Sequence, residues 1–481
     1  MSARMDEKRV DTTDAIDDLP TVPCHARDGL ERRLVRKLDL RMSVIVVIYT
    51  LNFIDRTNVN NARLQGFEKD LHLHGEQYAT VLSILYVGYI IMQVPGNMLL
   101  HRLGRPAILI PSCMAVWGMI SVLTGITTNY TGVLVVRFFL GFVEAPFFPG
   151  VLFLVSRWYK RDEIAMRTGL VSCGSILSFA FGSLIASGIL SSMEGKLGQA
   201  AWRWLFYIEG GITIIVAIFA IFILPDFPHN TRWLTPEERA LAISRLAEDR
   251  YGTAEELGKQ TTIQGLRDAV SDWKVWWVTG GITFQYAVLS FASYFPTIAA
   301  TMGYGTTVTL LLCAPPWAFA AIAAFFIVRH SDKKQKRYRY LAACNGLGSL
   351  GFIVSICTMN TVARYISLFL MAQIIGGYMV LWGWISNTFD REPAKRAVAI
   401  ALISALGQLG SIAGSYIWPS NWGPTYRYSS IICIAAIAMS TSMFGMMHLY
   451  LKHQNVQIER NERDAKDVKE LRDPIGFRYL V

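Results

Sequence analysis

Charge is what this sequence has little of. Only 17% of its 481 residues are Asp, Glu, Lys or Arg, against 52% hydrophobic residues, whereas soluble domains carry about 25% charged residues. A soluble chain of this length would divide into several domains, each with a polar coat, and there are too few charges to supply those coats. Cysteine is scarce as well. The seven are Cys24, Cys113, Cys173, Cys313, Cys344, Cys357 and Cys433, six of them in apolar blocks and none with CxxC spacing. They read as small apolar residues, which excludes a disulfide scaffold and a thiolate metal site. No His/Cys/acid cluster has ligand spacing and no nucleophile–base pair stands out, so neither an enzyme nor a bound cofactor is expected.

What the sequence has in abundance is apolar blocks of roughly 20 residues, the length that spans a bilayer as helix, and a mean hydropathy of +0.33. Twelve spans are expected near 41–58, 77–99, 106–126, 131–155, 167–190, 204–224, 273–299, 307–328, 340–359, 364–388, 396–417 and 428–450. The chain therefore reads as an all-α membrane protein in a lipid bilayer. Six spans, a charged segment and six more spans suggest two halves. The expected division is a tail 1–38, a bundle 39–224, a central loop 225–272, a second bundle 273–451 and a tail 452–481, both tails solvated and partly disordered. No signal peptide is expected ahead of the first span, because 1–38 is polar and charged. In the central loop, Thr235-Pro236 with Glu238 has the form of a capping box at a helix start.

The formal charge is +10, from 46 Lys+Arg and 36 Asp+Glu. It does not indicate a nucleic-acid partner, because the basic residues lie in short loops. Arg102 and Arg105, Arg157 and Lys160, Lys333 to Arg339, and Lys395 with Arg396 all follow even-numbered spans. The positive-inside rule then puts those loops and both termini in the cytosol, with the plasma membrane as the expected site. The sequon Asn129-Tyr130-Thr131 falls in a very short outer loop.

Charge inside a span is the informative rarity, since each central charge costs ~2.5–3.5 kcal/mol to insert and so faces the bundle interior. Span one has Asp55 and Arg56, span four has Arg137 and Glu144, and span six has Glu209 near its start; the second half has none well inside. Arg137, Gly141 and Glu144 fall at i, i+4 and i+7, on one helix face, and Gly141 permits close approach of another helix or a ligand. Two readings of the four charges are open: neutralised ion pairs that fix packing, or acids that carry protons beside an arginine that holds an anion. An adjacent arginine favours the ionised acid and desolvation the protonated one, so an anion that occupies the arginine promotes protonation, which is the linkage symport needs. Glu209 reads as a charge at a helix N-terminus near the surface. Tyr86 and Tyr89 in span two, Gln285 and Tyr286 in span seven, Tyr378, Trp382, Trp384 and Asn387 in span ten, and Gln408 in span eleven are polar or aromatic groups able to orient a small ligand.

These residues carry a resemblance. The run Phe53-Ile-Asp55-Arg56-Thr-Asn58, the run Arg137-Phe-Phe-Leu-Gly141-Phe-Val-Glu144-Ala-Pro-Phe-Phe-Pro149-Gly150, Leu224-Pro-Asp-Phe-Pro228 followed by Trp233-Leu-Thr235, Tyr294-Phe-Pro296, Met302-Gly-Tyr304 and Pro315-Pro316 resemble the anion:cation symporter family of the major facilitator superfamily, most of all its fungal allantoate-permease branch, over about residues 40–450. The resemblance implies the major facilitator fold, with twelve transmembrane helices in two pseudo-symmetric six-helix bundles, working as a monomer by alternating access. It implies proton-coupled uptake of a small organic anion such as allantoate, ureidosuccinate or nicotinate. Asp55 and Glu144 match the proton-carrying acids, Arg56 the arginine near the substrate carboxylate, and Arg137 the arginine that pairs with the span-four acid. With Arg56 and Arg137, the residues Tyr86, Tyr89, Trp382, Trp384, Asn387 and Gln408 make up the expected substrate contacts, Gln408 standing where the family usually has Asn. Gating falls to His101, Arg102 and Arg105, with His101 at a position usually acidic, and to Asp332 in the matching loop of the second half. The alternatives are a proton-coupled exporter of a metabolite or drug and a non-transporting nutrient sensor.

Overall fold

The computed structural model describes residues 24–103, 105–228, 230–231, 233–250, 262–389 and 393–464. Helices stand at all twelve expected positions. They are α1 (Cys24–Ala62), α2 (Gln77–Leu103), α3 (Pro106–Ile126), α4 and α5 (Tyr130–Glu144 and Phe147–Ser156), α6 (Arg161–Ser192) and α7 (Ala201–Ile223) in the first half. The loop helices α8 (Pro236–Arg250) and α9 (Thr262–Ser271) follow. The second half has α10 and α11 (Trp273–Leu289 and Phe291–Ala300), α12 (Thr306–Lys334), α13 (Arg337–Cys357), α14 and α15 (Thr361–Ala372 and Ile374–Thr388), α16 and α17 (Pro393–Gly407 and Leu409–Ser415) and α18 (Arg427–Asp464). Among the described residues nine of these rods are both long and apolar enough to cross a membrane, and Gln77–Gln93 is a shorter apolar stretch. The rod α10–α11 breaks at Ser290, and α1 carries charge along much of its length.

Breaks fall where the backbone ladder is locally weakest. Span four breaks at Ala145-Pro146, where proline brings no N–H, and span eleven breaks at Gln408 after Gly407. Side-chain caps fix several starts: Asn129 accepts from the Gly132 N–H at 2.8 Å and Asp272 from the Lys274 N–H at 3.0 Å, each satisfying an orphan donor. The sequon's asparagine is thus committed to a cap. The expected capping box is present, with Thr235 and Glu238 bonding reciprocally at 3.2 Å.

Glycine sets the closest helix contacts, as in other membrane bundles. A Cβ on Gly141 would lie 1.9 Å from the Leu85 carbonyl oxygen, and one on Gly410 would lie 1.9 Å from the Thr283 carbonyl oxygen. The pairs α2–α4 and α10–α17 therefore pack backbone to backbone, and Gly141 serves helix approach as expected. Phe139, Phe222, Phe326 and Val362 point outward, where lipid covers them.

Residues 24–38, expected as part of a solvated tail, instead begin α1, with Leu34 and Leu38 fully buried. Their charged face is tied down. Glu31 meets Lys160 at 2.9 Å and Arg245 of α8 at 3.3 Å, Arg245 also reaches Glu163 at 2.6 Å, and Asp39 pairs with Arg167 at 2.7 Å. Burial works against the charged form of Glu31, but the Lys160 hydrogen bond and the charges of Arg245 and Arg27 outweigh it and hold the carboxyl below its ordinary value. The second half is tied likewise through Asp272 and Lys395 at 3.0 Å.

The two halves touch mainly on the face away from the termini. There Tyr416 hydrogen-bonds Thr80 at 3.0 Å, Ser187 donates to the Thr307 carbonyl at 3.0 Å, and Phe179 stacks on Trp317 at 4.5 Å. Arg63 acts as a clasp: it pairs with Glu68 at 2.9 Å, donates to Ser420 at 2.9 Å across the seam, and lies 4.2 Å over the ring of Tyr78. Deeper in, Gln93 donates to Ser404 at 3.1 Å. Among the described residues, the ion pairs given above on the face that carries the termini each stay within one half and its attached loop.

Candidate functional site

The charged residues of spans one and four meet as their spacing suggests, though with different partners. Arg56 of α1 projects toward α4 and binds Glu144 through Nη2 at 2.7 Å and Nε at 3.0 Å. Glu144 is 1% exposed and Arg56 is 16% exposed, so the guanidinium is the accessible member of the pair. Its rim is aromatic, with Phe53 and Tyr89 rings each 5.3 Å from the guanidinium. Tyr86 lies within electrostatic range of Arg56 from the same half, and Tyr378 from the opposite half. The Tyr378 hydroxyl meets that of Tyr286 at 3.0 Å, and Trp382 stands edge-on to Tyr378. The arrangement is a cation with a dedicated counter-ion, faced by phenol hydroxyls from both halves. It can take up a small anion, hydrogen-bond its polar groups and stack its flat ones.

Arg137 does not hold Glu144 as its matched partner. It donates through both terminal nitrogens to the Arg56 carbonyl oxygen, at 3.1 Å each. Its length carries it past its own helix to the α1 backbone, where it ties α4 to the turn that carries Arg56. Arg56, and not Arg137, is the ion-pair partner of Glu144.

Asp55, next to Arg56 in sequence, points the other way. Successive helix residues lie about 100° apart, so Asp55 turns toward α3 and α7, where it accepts from Ser121 at 3.0 Å and Thr213 at 2.7 Å. Glu209 lies on that side too. Its reading as a surface charge at a helix end is overturned, because it is buried in the core of the first half, within electrostatic range of Asp55. Helix α7 starts farther out in sequence than the expected span, at Ala201, which places Glu209 deeper.

The remaining expected contacts divide. Trp384 is buried in the second half's own core against Phe444 and Tyr338 and faces away from Arg56. Asn387 is half-buried at the very end of α15, near the face that carries the termini. Gln408 sits at the α16–α17 joint and accepts from Ser411 at 2.9 Å; the preceding Gly407 packs on the Tyr286 ring, which keeps the joint beside the aromatic rim. Gln285 is taken up in a buried network with Asn345 of α13. Among the gating residues, the side chains of His101 and Arg102 lie outside the described residues. Arg105 is exposed at the start of α3, and Asp332 pairs with Arg337 at 2.9 Å, joining α12 to α13. Sequence reasoning missed Tyr49 beside the site and Asn345. A tyrosine in an apolar span carries no distinguishing signal, but an asparagine there is a polar rarity of the same kind as the charges.

The model of the Major Facilitator Superfamily matches residues 45–415. The chain belongs to this superfamily. It is similar to the MFS-type transporter cnsO of Penicillium expansum, 31% identical over 458 residues, covering 92% of this chain and 86% of that one. It is also similar to the pantothenate transporter liz1 of Schizosaccharomyces pombe, 25% identical over 474 residues and covering 92% and 87% of the two chains. Among solved structures, a bacterial homolog of the human lysosomal transporter Spinster, inward-facing and unoccupied, superposes with TM-score 0.65 at 17% identity, over 85% of this chain and 96% of that one. A D-xylose-proton symporter gives TM-score 0.62 at 15% identity over 84% and 97%. At these identities the two structures show the fold alone, an all-α major facilitator fold; that the chain is a multi-pass membrane transporter rather than an enzyme follows from its membership of the superfamily.

Proposed function

We propose that this transporter couples protons to the uptake of a small organic anion, with Arg56 as the anion-binding group and Glu144 as its proton-linked counter-ion. The observation that carries this reading is the Arg56–Glu144 pair at 2.7 Å, its arginine partly exposed and its acid buried. An incoming carboxylate competes for the guanidinium. A carboxylate stripped of its counter-ion in a dry interior is costly, and protonation removes that cost. Anion and proton then bind together, and the neutralised site permits the halves to rock about it. Leaving the seam between the halves for the opposite state requires the Arg63 clasp to open.

The similarity to a protein named as a pantothenate transporter supports a carboxylate as cargo. The reading includes a monomer in the plasma membrane, with both termini and the 225–272 loop in the cytosol and the domain limits given above. The test is uptake of a panel of radiolabelled carboxylates, pantothenate, allantoate, ureidosuccinate and nicotinate among them, by transporter-deficient cells across external pH 4–8. Uptake that rises as pH falls is expected, and flux indifferent to pH for every compound carried refutes the coupling.

A further inference from the structure

Glu209 is a buried acid to which the mechanism above gives no task. It is 2% exposed, and neither carboxylate oxygen has a hydrogen-bond partner among the described residues. Asn58 of α1 stands beside it, 0% exposed, with its own amide nitrogen and oxygen unpartnered. Asp55 is the third member, and it differs from Glu209 in one respect that decides the assignment: it accepts hydroxyl hydrogen bonds on both oxygens, from Ser121 at 3.0 Å and Thr213 at 2.7 Å. A carboxylate that accepts hydroxyl bonds on both sides is arranged as the ionised form, whereas Glu209, with only the Asn58 amide beside it, lacks the donors that hold an ionised acid in a dry interior.

The surroundings offer no cation to hold both charges. Helix α3 has no charged residue, and it meets α7 so closely that a Cβ on Gly210 would lie 2.8 Å from the Gly118 carbonyl oxygen. On α4, Glu144 adds a further negative charge within range of Asp55, and Arg137 is committed to the Arg56 carbonyl. On α1, Arg56 is turned to Glu144. On α7, Arg203 donates to the Gly125 carbonyl at 2.6 Å. On α6, Arg167 is bound to Asp39. No ion pair with Asp55 or Glu209 forms among the described residues. Two neighbouring carboxylates without a cation cannot both ionise in a dry interior.

We propose that Asp55 and Glu209 form an acid–carboxylate pair that shares one proton, held by Glu209 in this state, and that this pair is a proton-binding unit distinct from the Arg56–Glu144 site. Transfer within the unit moves one proton from the Glu209 carboxyl to the Asp55 carboxylate and changes nothing else, with Asn58 oriented by whichever acid is neutral. The role in transport rests on the proton-coupled reading above; the shared proton itself does not.

Infrared spectroscopy of purified protein in nanodiscs tests it directly. A carbonyl stretch from a protonated carboxyl is expected at pH 7. It should vanish in Glu209→Gln, persist in Glu144→Gln, and in Asp55→Asn titrate toward lower pH, because the repelling neighbour is gone. A band absent from the wild type at pH 7, or surviving Glu209→Gln, overturns the proposal. So does a band lost when sodium replaces choline in the buffer, which assigns the oxygens to a metal cation instead. In uptake assays Glu209→Gln should flatten the pH profile and Glu209→Asp should restore its slope; an unchanged profile in Glu209→Gln refutes the transport role. A wild type whose uptake ignores pH while the band behaves as expected refutes symport and leaves the shared proton standing.

Discussion

The first, third and sixth helices of each half build a buried polar network at corresponding places, and the two networks are chemically opposite. In the second half Gln285 of α10, Asn345 of α13 and Ser440 with Thr441 of α18 form a closed neutral set. Gln285 and Asn345 exchange amide bonds at 3.2 Å, Asn345 donates to Thr441 at 2.9 Å, and Ser440 donates to Gln285 at 3.0 Å. In the first half the same helices contribute Asp55, Ser121, Thr213 and Glu209, and several polar atoms there lack partners. The neutral set shows what packing requires: amides and hydroxyls that satisfy one another. Acids at the matching places exceed that requirement. A fully satisfied buried network rigidifies its surroundings, and a partly satisfied one is retained for some other reason; on the reading proposed above, that reason is proton chemistry in the first half, with the second half as support.

The largest test of that comparison is Arg56→Ala. It removes the proposed anion-binding group and strands Glu144, which costs about 3–5 kcal/mol of stability in comparable buried pairs, so carboxylate uptake, read as initial rate in transporter-deficient cells at matched surface expression, should be lost. Normal affinity in that variant removes Arg56 from the site. Next come the two glycines that set helix approach, one in each half. Gly141→Ala and Gly410→Ala both drive a methyl onto a carbonyl oxygen, and overpacking costs about 1–3 kcal/mol or more where backbone must move. Both should lower the thermal midpoint in detergent, because this device is common to the halves; a loss confined to one of them breaks the symmetry of support.

Asn345→Ala sharpens the comparison further. It strands the Gln285 amide nitrogen, whose oxygen keeps Ser440, at a cost of about 1–3 kcal/mol, so the thermal midpoint should drop while the pH profile of uptake keeps its shape. A shifted profile would mean that the second network also senses protons. The smallest effect is expected at the face that carries the termini. Glu31 is held below its ordinary value despite burial, by Lys160 and Arg245, and Asp272 likewise, despite burial, by Lys395 and Lys274. An acid lowered in the folded state contributes stability above its unfolded value and loses it as pH falls through the folded value. Hydrogen exchange in α8 and at the start of α10 should therefore quicken below about pH 4, by under about 1 kcal/mol for such partly exposed pairs. Glu31→Gln should diminish the α8 response without touching that of α10, the rest of the α8 response belonging to Glu238, which, despite burial, Lys37 holds below its ordinary value.

The positions of the spans were legible because apolar length and sparse charge are dictated by the bilayer, and the Asp55-Arg56 and Arg137-Gly141-Glu144 runs were legible because intramembrane charge is rare. Partnership was not. Adjacent residues on a helix diverge by about 100°, which separates Asp55 from Arg56, and a long side chain reaches another helix's backbone as readily as another's acid, which detaches Arg137 from Glu144. Trp384 and Gln285 show the same limit: a polar or aromatic residue in a span has one face of the helix to itself, and only the neighbouring helices decide whether that face meets the cavity or the core. Glu209 was misplaced because distance along a span estimates depth only when the start of the span is known.

Composition and periodicity by themselves determined a helical chain in a bilayer with its ionisable groups gathered in one half, because hydrocarbon tolerates neither unpaired backbone nor stray charge. Which acid faces which base, and which acid faces none, was decided by how the helices rotate and pack against one another, since a pairing depends on distances across the bundle that no spacing along the chain records.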